Sequence, residues 1–152
     1  MDAAFLLIAA KPGRRPSLQQ LALSARPDPP QLAFRADHHV GWADDTGGVV
    51  VGAWERRGDA AAGSRIHVDE RGLALAVGTV RRQGEPWRAE GQWAEGLATA
   101  ARASSLAELA SELRGVYTIV VASPGGRATV LGDPLGHRCT YVGETDDAIV
   151  VG

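Results

Sequence analysis

The sequence predicts an α+β domain in which helices cover antiparallel sheet. Three observations lead there. Short apolar or β-branched runs, bounded by clusters of Gly, Pro and Asp, fill the first and last thirds of the chain. Two Ala- and Leu-rich stretches with helical spacing fill the middle. Strands, then helices, then strands is the order of an α+β fold, not of alternating βαβ units. At 152 residues the chain fits one domain. That length removes roughly 68–70% of the unfolded surface from water.

Ala3–Ala10 is continuously apolar, which fits a strand buried on both faces, and Lys11–Pro16 breaks it. Asp2 stands where a signal peptide carries positive charge, and the run is too short to cross a bilayer. A soluble cytoplasmic protein is the expectation. Leu18–Ser24 reads equally as a short helix or a strand. Arg26–Pro30 holds three prolines, which forbid a sheet ladder, so it is a loop. Leu32–Arg35 and His39–Trp42 are extended. Ala43–Gly48 is a turn rich in Asp and Gly, and Val49–Trp54 is the answering strand. Arg57–Ser64 is another loop. Ile66–Val68, the turn Asp69–Gly72 and Leu73–Val77 form a second hairpin.

Gln92–Ala103 predicts a helix with Trp93, Leu97 and Ala100 or Ala101 on one face. Ser105 and Glu108 have the spacing of a capping box, which opens a second helix over Leu106–Arg114. Its apolar stripe is Leu106, Leu109, Ala110 and Leu113, and Gly115 stands where a left-handed residue ends a helix. The last third predicts a meander. Its strands are Val116–Ala122, Ala128–Leu131, Arg138–Val142 and Ala148–Val151, separated by turns at Ser123–Gly126, Gly132–His137 and Gly143–Asp147. Ala3–Ala10 is expected in a central sheet beside Val116–Ala122 or that strand's partner, with Leu106–Leu113 packed on the sheet. The chain stops at Gly152, directly after an apolar strand, which predicts a fragment of a longer protein.

Composition excludes several function classes. A net charge of −2 gives no basic footprint for nucleic acid. The single cysteine, Cys139, rules out a disulfide framework and a multi-cysteine zinc site. Within its predicted strand it reads as a buried, inert thiol. His38 and His39 are adjacent, so in a strand they point to opposite faces and cannot easily share a metal. His67 and His137 stand alone, and no metal-ligand spacing is present. No Gly-x-Ser-x-Gly elbow occurs, and the pairs Gly47-Gly48 and Gly125-Gly126 read as turns, not phosphate cradles. Trp42, Trp54, Trp87 and Trp93 are core or domain-interface residues, with a binding face as the alternative. Arg56-Arg57 and Arg81-Arg82 read as solvated pairs.

The last third carries a more specific pattern. Leu113-Arg-Gly115-Val-Tyr117-Thr leads to Gly132-Asp133-Pro-Leu-Gly136-His-Arg-Cys-Thr-Tyr141 and then Ala148-Ile-Val-Val. This resembles the end of the N-terminal glutaminase domain in the asparagine synthetase family. That family shows a Leu-x-Gly-x-Phe-Ala strand, an Arg-Asp-x-x-Gly turn and a strand ending near Leu-Tyr-Tyr. Gly115, Asp133, Gly136 and Tyr141 fall on the pattern, while Gly132 replaces the Arg and Tyr117 the Phe. Val77-Gly78 falls on the family's Asn-Gly edge, which supplies the oxyanion hole. The opening strand occupies the place of the family's Met-Cys-Gly-Ile strand. The resemblance implies an Ntn-hydrolase-like αββα sandwich of two antiparallel sheets. Asp133, a turn Asp followed by Pro and Gly, is expected to bond the amides of its own turn.

The departures from the family bear on chemistry. A class II glutaminase uses an N-terminal cysteine exposed by removal of Met1, and here residue 2 is Asp2. A carboxylate is a poor nucleophile toward an amide and gives an amine base no proton to take. Val77 replaces the Asn donor of the oxyanion position. The acid that holds the glutamine amine has no evident counterpart near Gln92–Glu95. The resemblance therefore implies a degenerate glutaminase-like domain with no catalytic residue, at the N-terminus of an ATP-dependent amide-forming ligase. β-Lactam synthetases and lasso-peptide macrocyclases follow that logic, because their substrates carry their own amine. The implied partner is a synthetase domain in cis, which holds ATP and Mg2+ and acts on a peptide or small molecule. This chain has no Ser-Gly-Gly-x-Asp-Ser loop, so no cofactor is expected in it. Two alternatives stand beside that reading: a binding or scaffolding module, and an active hydrolase whose N-terminus is exposed by processing elsewhere.

Overall fold

The computed structural model describes residues 3–26, 35–56, 65–84, 96–99 and 106–152. The first sheet has five antiparallel strands in the order β2-β3-β1-β9-β8. These are β1 (Ala3–Ala10), β2 (His38–Ala43), β3 (Val49–Glu55), β8 (Val142–Glu144) and β9 (Ala148–Val151). The second has four in the order β4-β5-β6-β7: β4 (Ile66–Asp69), β5 (Gly72–Arg82), β6 (Leu113–Ser123) and β7 (Arg127–Gly132). Two helices join them, α1 (Leu18–Ala25) and α2 (Leu106–Glu112), and residues 96–99 form a helical turn.

The period-two pattern of the strands makes the two sheets face each other. Ala3, Leu7, Val49, Val51 and Ala53 of the first sheet meet Leu73, Leu75, Val77, Val120 and Ala122 of the second in one buried core. Each fully buried Leu or Val contributes about 1.5–3 kcal/mol of transfer free energy. The alternate residues of β5 and β6 point the other way. Ala76, Val80, Tyr117 and Ile119 form a second core with Leu97 and with Leu109 of α2. On the outer face of the first sheet lies α1. Trp54 Nε1 donates to Arg26 O at 2.8 Å, and the His39 ring stacks on Trp54 at 5.2 Å. A Cβ on Gly52 would come within 2.4 Å of Ser24 O, so only glycine lets the helix lie this close. The layers run helix, sheet, sheet, helix.

The ambiguity of Leu18–Ser24 resolves as a helix because Ser17 and Gln20 make a reciprocal capping box. Gln20 N donates to Ser17 Oγ at 3.2 Å, and Ser17 N to Gln20 Oε1 at 2.8 Å. The hairpins β2–β3 and β4–β5 form where the sequence places them. Arg57–Ser64, residues 27–34, most of Gln92–Ala103 and the Ser105 cap lie outside the described residues.

Several expectations are corrected. β1 does not share a sheet with β6; it pairs with β3 and β9 and faces the second sheet across the core. An apolar run marks burial on two faces but does not say which strand is a lateral neighbour. β5 runs on to Arg82, past Val77. Helix α2 stops at Glu112, short of Arg114, because Leu113 already pairs with Arg82. Gly115 therefore ends no helix; it lies within β6, with φ of +127°. The last third is not a meander, since the chain leaves β7 in one sheet and enters β8 in the other. Residues 138–141 form no strand, and β8 takes up Gly143 and Glu144 from the expected turn. Cys139 is consequently exposed instead of buried. Among the described residues no helix is long and apolar enough to cross a membrane.

Candidate functional site at the crossover end

The four hairpin turns gather at one end of the sandwich. Ala10 N donates to Gly48 O at 2.7 Å and Lys11 N to Asp147 O at 2.9 Å. A Cβ on Gly72 would meet Ala122 O, and one on Gly126 would meet Asp44. The other end is where β1 begins, where the chain leaves β3 and enters β4, and where β5 passes by way of α2 to β6. It is also where β7 crosses to β8. Chemistry concentrates on connections of this kind, held by a rigid scaffold.

At that end Ala3 is fully buried and pairs with Glu55. The Glu55 carboxylate is buried too. Its Oε2 accepts from Arg65 N at 2.7 Å, and its Oε1 lies 3.8 Å from His38 Nε2. Arg65 O in turn accepts from Ala76 N at 3.1 Å, so a single carboxylate ties the first sheet to the second. Sequence reasoning missed Glu55. The available signal was an acid closing the strand Val49–Trp54, where alternation leads inward.

Val77 and Gly78 sit on β5 opposite Thr118 and Tyr117. The Val77 side chain is 1% exposed and packs in the core between the sheets, so this position offers no side-chain donor. Gly78 has φ of +97°, and a Cβ there would fall 2.2 Å from Val116 O. Gly115 mirrors it from β6, its would-be Cβ 2.1 Å from Thr79 O. The two strands approach so closely that only glycine fits at either place.

Asp133 begins the crossover. Its amide donates to Tyr117 O at 2.9 Å. Its Oδ1 accepts from Leu135 N and His137 N, both at 3.1 Å, and its Oδ2 from Arg138 N at 3.0 Å. This aspartate does organise its own turn. Burial opposes its charge, but those three amides and the nearby His137 outweigh burial and hold the carboxyl below its ordinary range. Gly136 closes the turn at φ of +64°, its amide donating to Asp133 O at 3.0 Å. Tyr117 is buried beside it. Burial, and then the Asp133 charge, push the phenol up against the opposing pull of Arg114, so it stays protonated.

Further along the crossover, Thr140 Oγ1 lies 3.2 Å from the buried Thr118 Oγ1. Tyr141 then joins the first sheet, exchanging two backbone bonds with Gly152, while its side chain is 76% exposed. The structure thus brings Val77, Gly78, Gly115, Asp133 and Gly136 together around β5 and β6 and leaves Tyr141 on the edge of the other sheet. Asp2 lies outside the described residues. At this end the Thr118 and Thr140 hydroxyls bond each other, and Cys139 is a free, exposed thiol. No group of three metal-ligating side chains occurs among the described residues.

No family model, curated protein or solved structure matches this chain.

Proposed function

We propose that this chain is a catalytically degenerate glutaminase-like domain, with an Ntn-hydrolase-like fold, of an asparagine-synthetase-like ligase. The observation that carries the reading is positional. The central strand β1 begins at the same end of a helix–sheet–sheet–helix sandwich as Val77-Gly78 and the Asp133 turn. An N-terminal nucleophile needs that geometry, with the first residues, an oxyanion edge and a turn brought to one place. The chemistry is missing at two points. Asp2 offers no proton for an α-amine to take, and Val77 offers no donor to an oxyanion. Cys139 is a free, exposed thiol on the crossover.

In this reading a synthetase domain in cis binds ATP and Mg2+ and adenylates a carboxylate. An amine already present on a peptide or small-molecule substrate then attacks it, and glutamine-derived ammonia is not needed. The cytoplasm suits such a ligase and keeps the exposed Cys139 reduced. A binding or scaffolding module is the second reading, favoured by the exposed apolar Leu135, Tyr141 and Val142 on the crossover and β8. The test uses the full-length protein expressed from its locus. Carboxylate-dependent ATP–pyrophosphate exchange without ammonia release from glutamine is expected. Absence of exchange with every peptide and amino-acid carboxylate tried favours the scaffolding reading. Ammonia release overturns the claim of decay.

A further inference from the structure

The first sheet ends at an unguarded edge. Its outermost strand, β8, pairs on one side with β9 and on the other with no strand among the described residues. Tyr141 and Gly152 exchange two backbone bonds, and Thr145 N donates to Ala148 O at 2.8 Å. Antiparallel ladders alternate, so Tyr141, Gly143 and Thr145 turn their backbone groups toward β9, while Val142 and Glu144 turn theirs outward. The side chains leave that edge open. Val142 is 70% exposed, although Val151 opposite it is buried. Tyr141 precedes it and Ile149 lies opposite Glu144, and both are exposed. A Cβ on Gly143 would meet nothing within 4 Å. Exposed edges are commonly blunted by Pro, by Lys or by a bulge. Neither Pro nor Lys occurs in Tyr141–Thr145, and the charge of Glu144 is paired with Lys11 at 2.6 Å.

The charges around β8 select the occupant. Arg138 precedes the strand, and Asp146 and Asp147 follow it. Arg138 and Asp146 enter no ion pair among the described residues. A second copy paired antiparallel through β8 sets the Arg138 side of each strand beside the Asp146–Asp147 side of the other. Parallel pairing would set like charge beside like. The register follows from the ladder, because outward-turned residues must meet outward-turned residues. Centring on Glu144 would oppose two carboxylates. Centring on Val142 would set Glu144 against Thr140, which lies off the strand and 3.2 Å from the Thr118 hydroxyl. Val142 opposite Glu144 avoids both, lets each such pair exchange backbone bonds and puts Gly143 against its own counterpart on a two-fold axis.

We propose that this chain forms a two-fold homodimer in which β8 pairs antiparallel with β8 of a second copy, joining two five-stranded sheets into one. The inference goes beyond the glutaminase reading and holds whether or not the chain descends from a glutaminase. An interface resting on so short a strand is small, so the dimer is weak and its population rises with concentration. Sedimentation velocity of the chain alone, over a series reaching about 1 mM, tests it. Reversible growth of a dimer is expected. Val142→Pro removes an outward N–H and weakens association by about tenfold or more. Should that variant not fold, Val142→Lys serves instead, placing a charge on the edge with the same expected loss. Arg127→Gln, on β7, leaves association unchanged. Gly143→Cys in a Cys139→Ser background tests the register, since residues facing each other at that axis have Cα atoms about 4.5 Å apart, within disulfide reach. Mild oxidation is expected to cross-link it in preference to Ile149→Cys in the same background. A monomer at every concentration, the outcome if a different chain occupies the edge, overturns the proposal. So does association undiminished in a Val142 variant that melts with the parent chain, or equal cross-linking of the two cysteine variants.

Discussion

The two ends of the sandwich are built by opposite means. The turn end is local, with four hairpins each returning the chain to its own sheet. The crossover end is held by contacts distant in sequence: Ala3 with Glu55, and Thr118 with Thr140. Each end nevertheless has one buried aspartate working in the same way. Asp44 takes the Val49 amide at 2.8 Å and the Thr46 hydroxyl at 2.6 Å. Asp133 takes three amides within five residues. Asp44 is followed by the β-branched run of β3, which pairs straight back onto β2. Asp133 is followed by Arg138-Cys139-Thr140, which does not pair with β7, and the chain passes to the other sheet. A buried aspartate therefore fixes the turn, and the residues after the turn choose the strand that pairs.

The largest expected effect separates the ends by steric strain. Gly115→Ala and Gly78→Ala each place a Cβ against a backbone carbonyl at positive φ, a destabilisation on the order of 3 kcal/mol. Gly125→Ala, at positive φ on the turn end but with nothing within 4 Å, loses about 1 kcal/mol. Urea denaturation of the three variants checks the ranking. Equal losses would mean that the β5–β6 approach is not the constraint.

The two aspartates come next. Asp133→Ala and Asp44→Ala should each lower the melting temperature by a few degrees. The losses of protection should not overlap. Amide exchange in Asp133→Ala rises at Leu135, His137, Arg138 and along β8, and in Asp44→Ala at Gly48 and Val49. A rise on both ends from either substitution would break the comparison.

Acid titration yields a smaller effect that both ends share. Burial raises the Asp44 pKa, but the Thr46 hydroxyl and the Val49, Thr46 and Gly48 amides outweigh it, so its carboxyl, like that of Asp133, titrates below the ordinary 3.8. The folded state thus binds fewer protons than the unfolded state near that pH. The stability these groups supply is complete above the ordinary carboxylate pKa and is lost as pH falls through the lower folded values. The double variant Asp44→Asn, Asp133→Asn should lose stability less steeply below about pH 4 than the parent chain. Smallest of all is Arg82→Gln. It breaks a half-exposed ion pair with Glu112 and should change stability by no more than about 0.5 kcal/mol.

Legibility in the sequence divides along the same line. The turn end reads well because its determinants are local: Asp and Gly at the reversals, β-branched runs on either side. β1 and β9 lie where the apolar runs place them. The crossover end reads poorly because its determinants are distant. Nothing near Cys139 says that Thr140 meets Thr118, so residues 138–141 look like one more strand. Gly115, three residues after Glu112, imitates a helix terminator, while its actual constraint is the Thr79 carbonyl on another strand. Glu55 passes as the polar end of a strand until Arg65 is known to sit beside it. Asp133 is the exception at this end, because its partners are its own next five residues.

Ammonia release from glutamine decides whether the crossover end, proposed to be glutaminase-like, has lost its chemistry. Both the native chain and Asp2→Cys with Met1 removed are needed. The native chain is expected to release no ammonia above buffer and to resist labelling by an electrophilic glutamine analogue. No recovery of ammonia release is expected in Asp2→Cys, because Val77, at the proposed oxyanion position, still points an apolar side chain into the core. Ammonia release by the native chain, or its recovery from that one substitution, would contradict it.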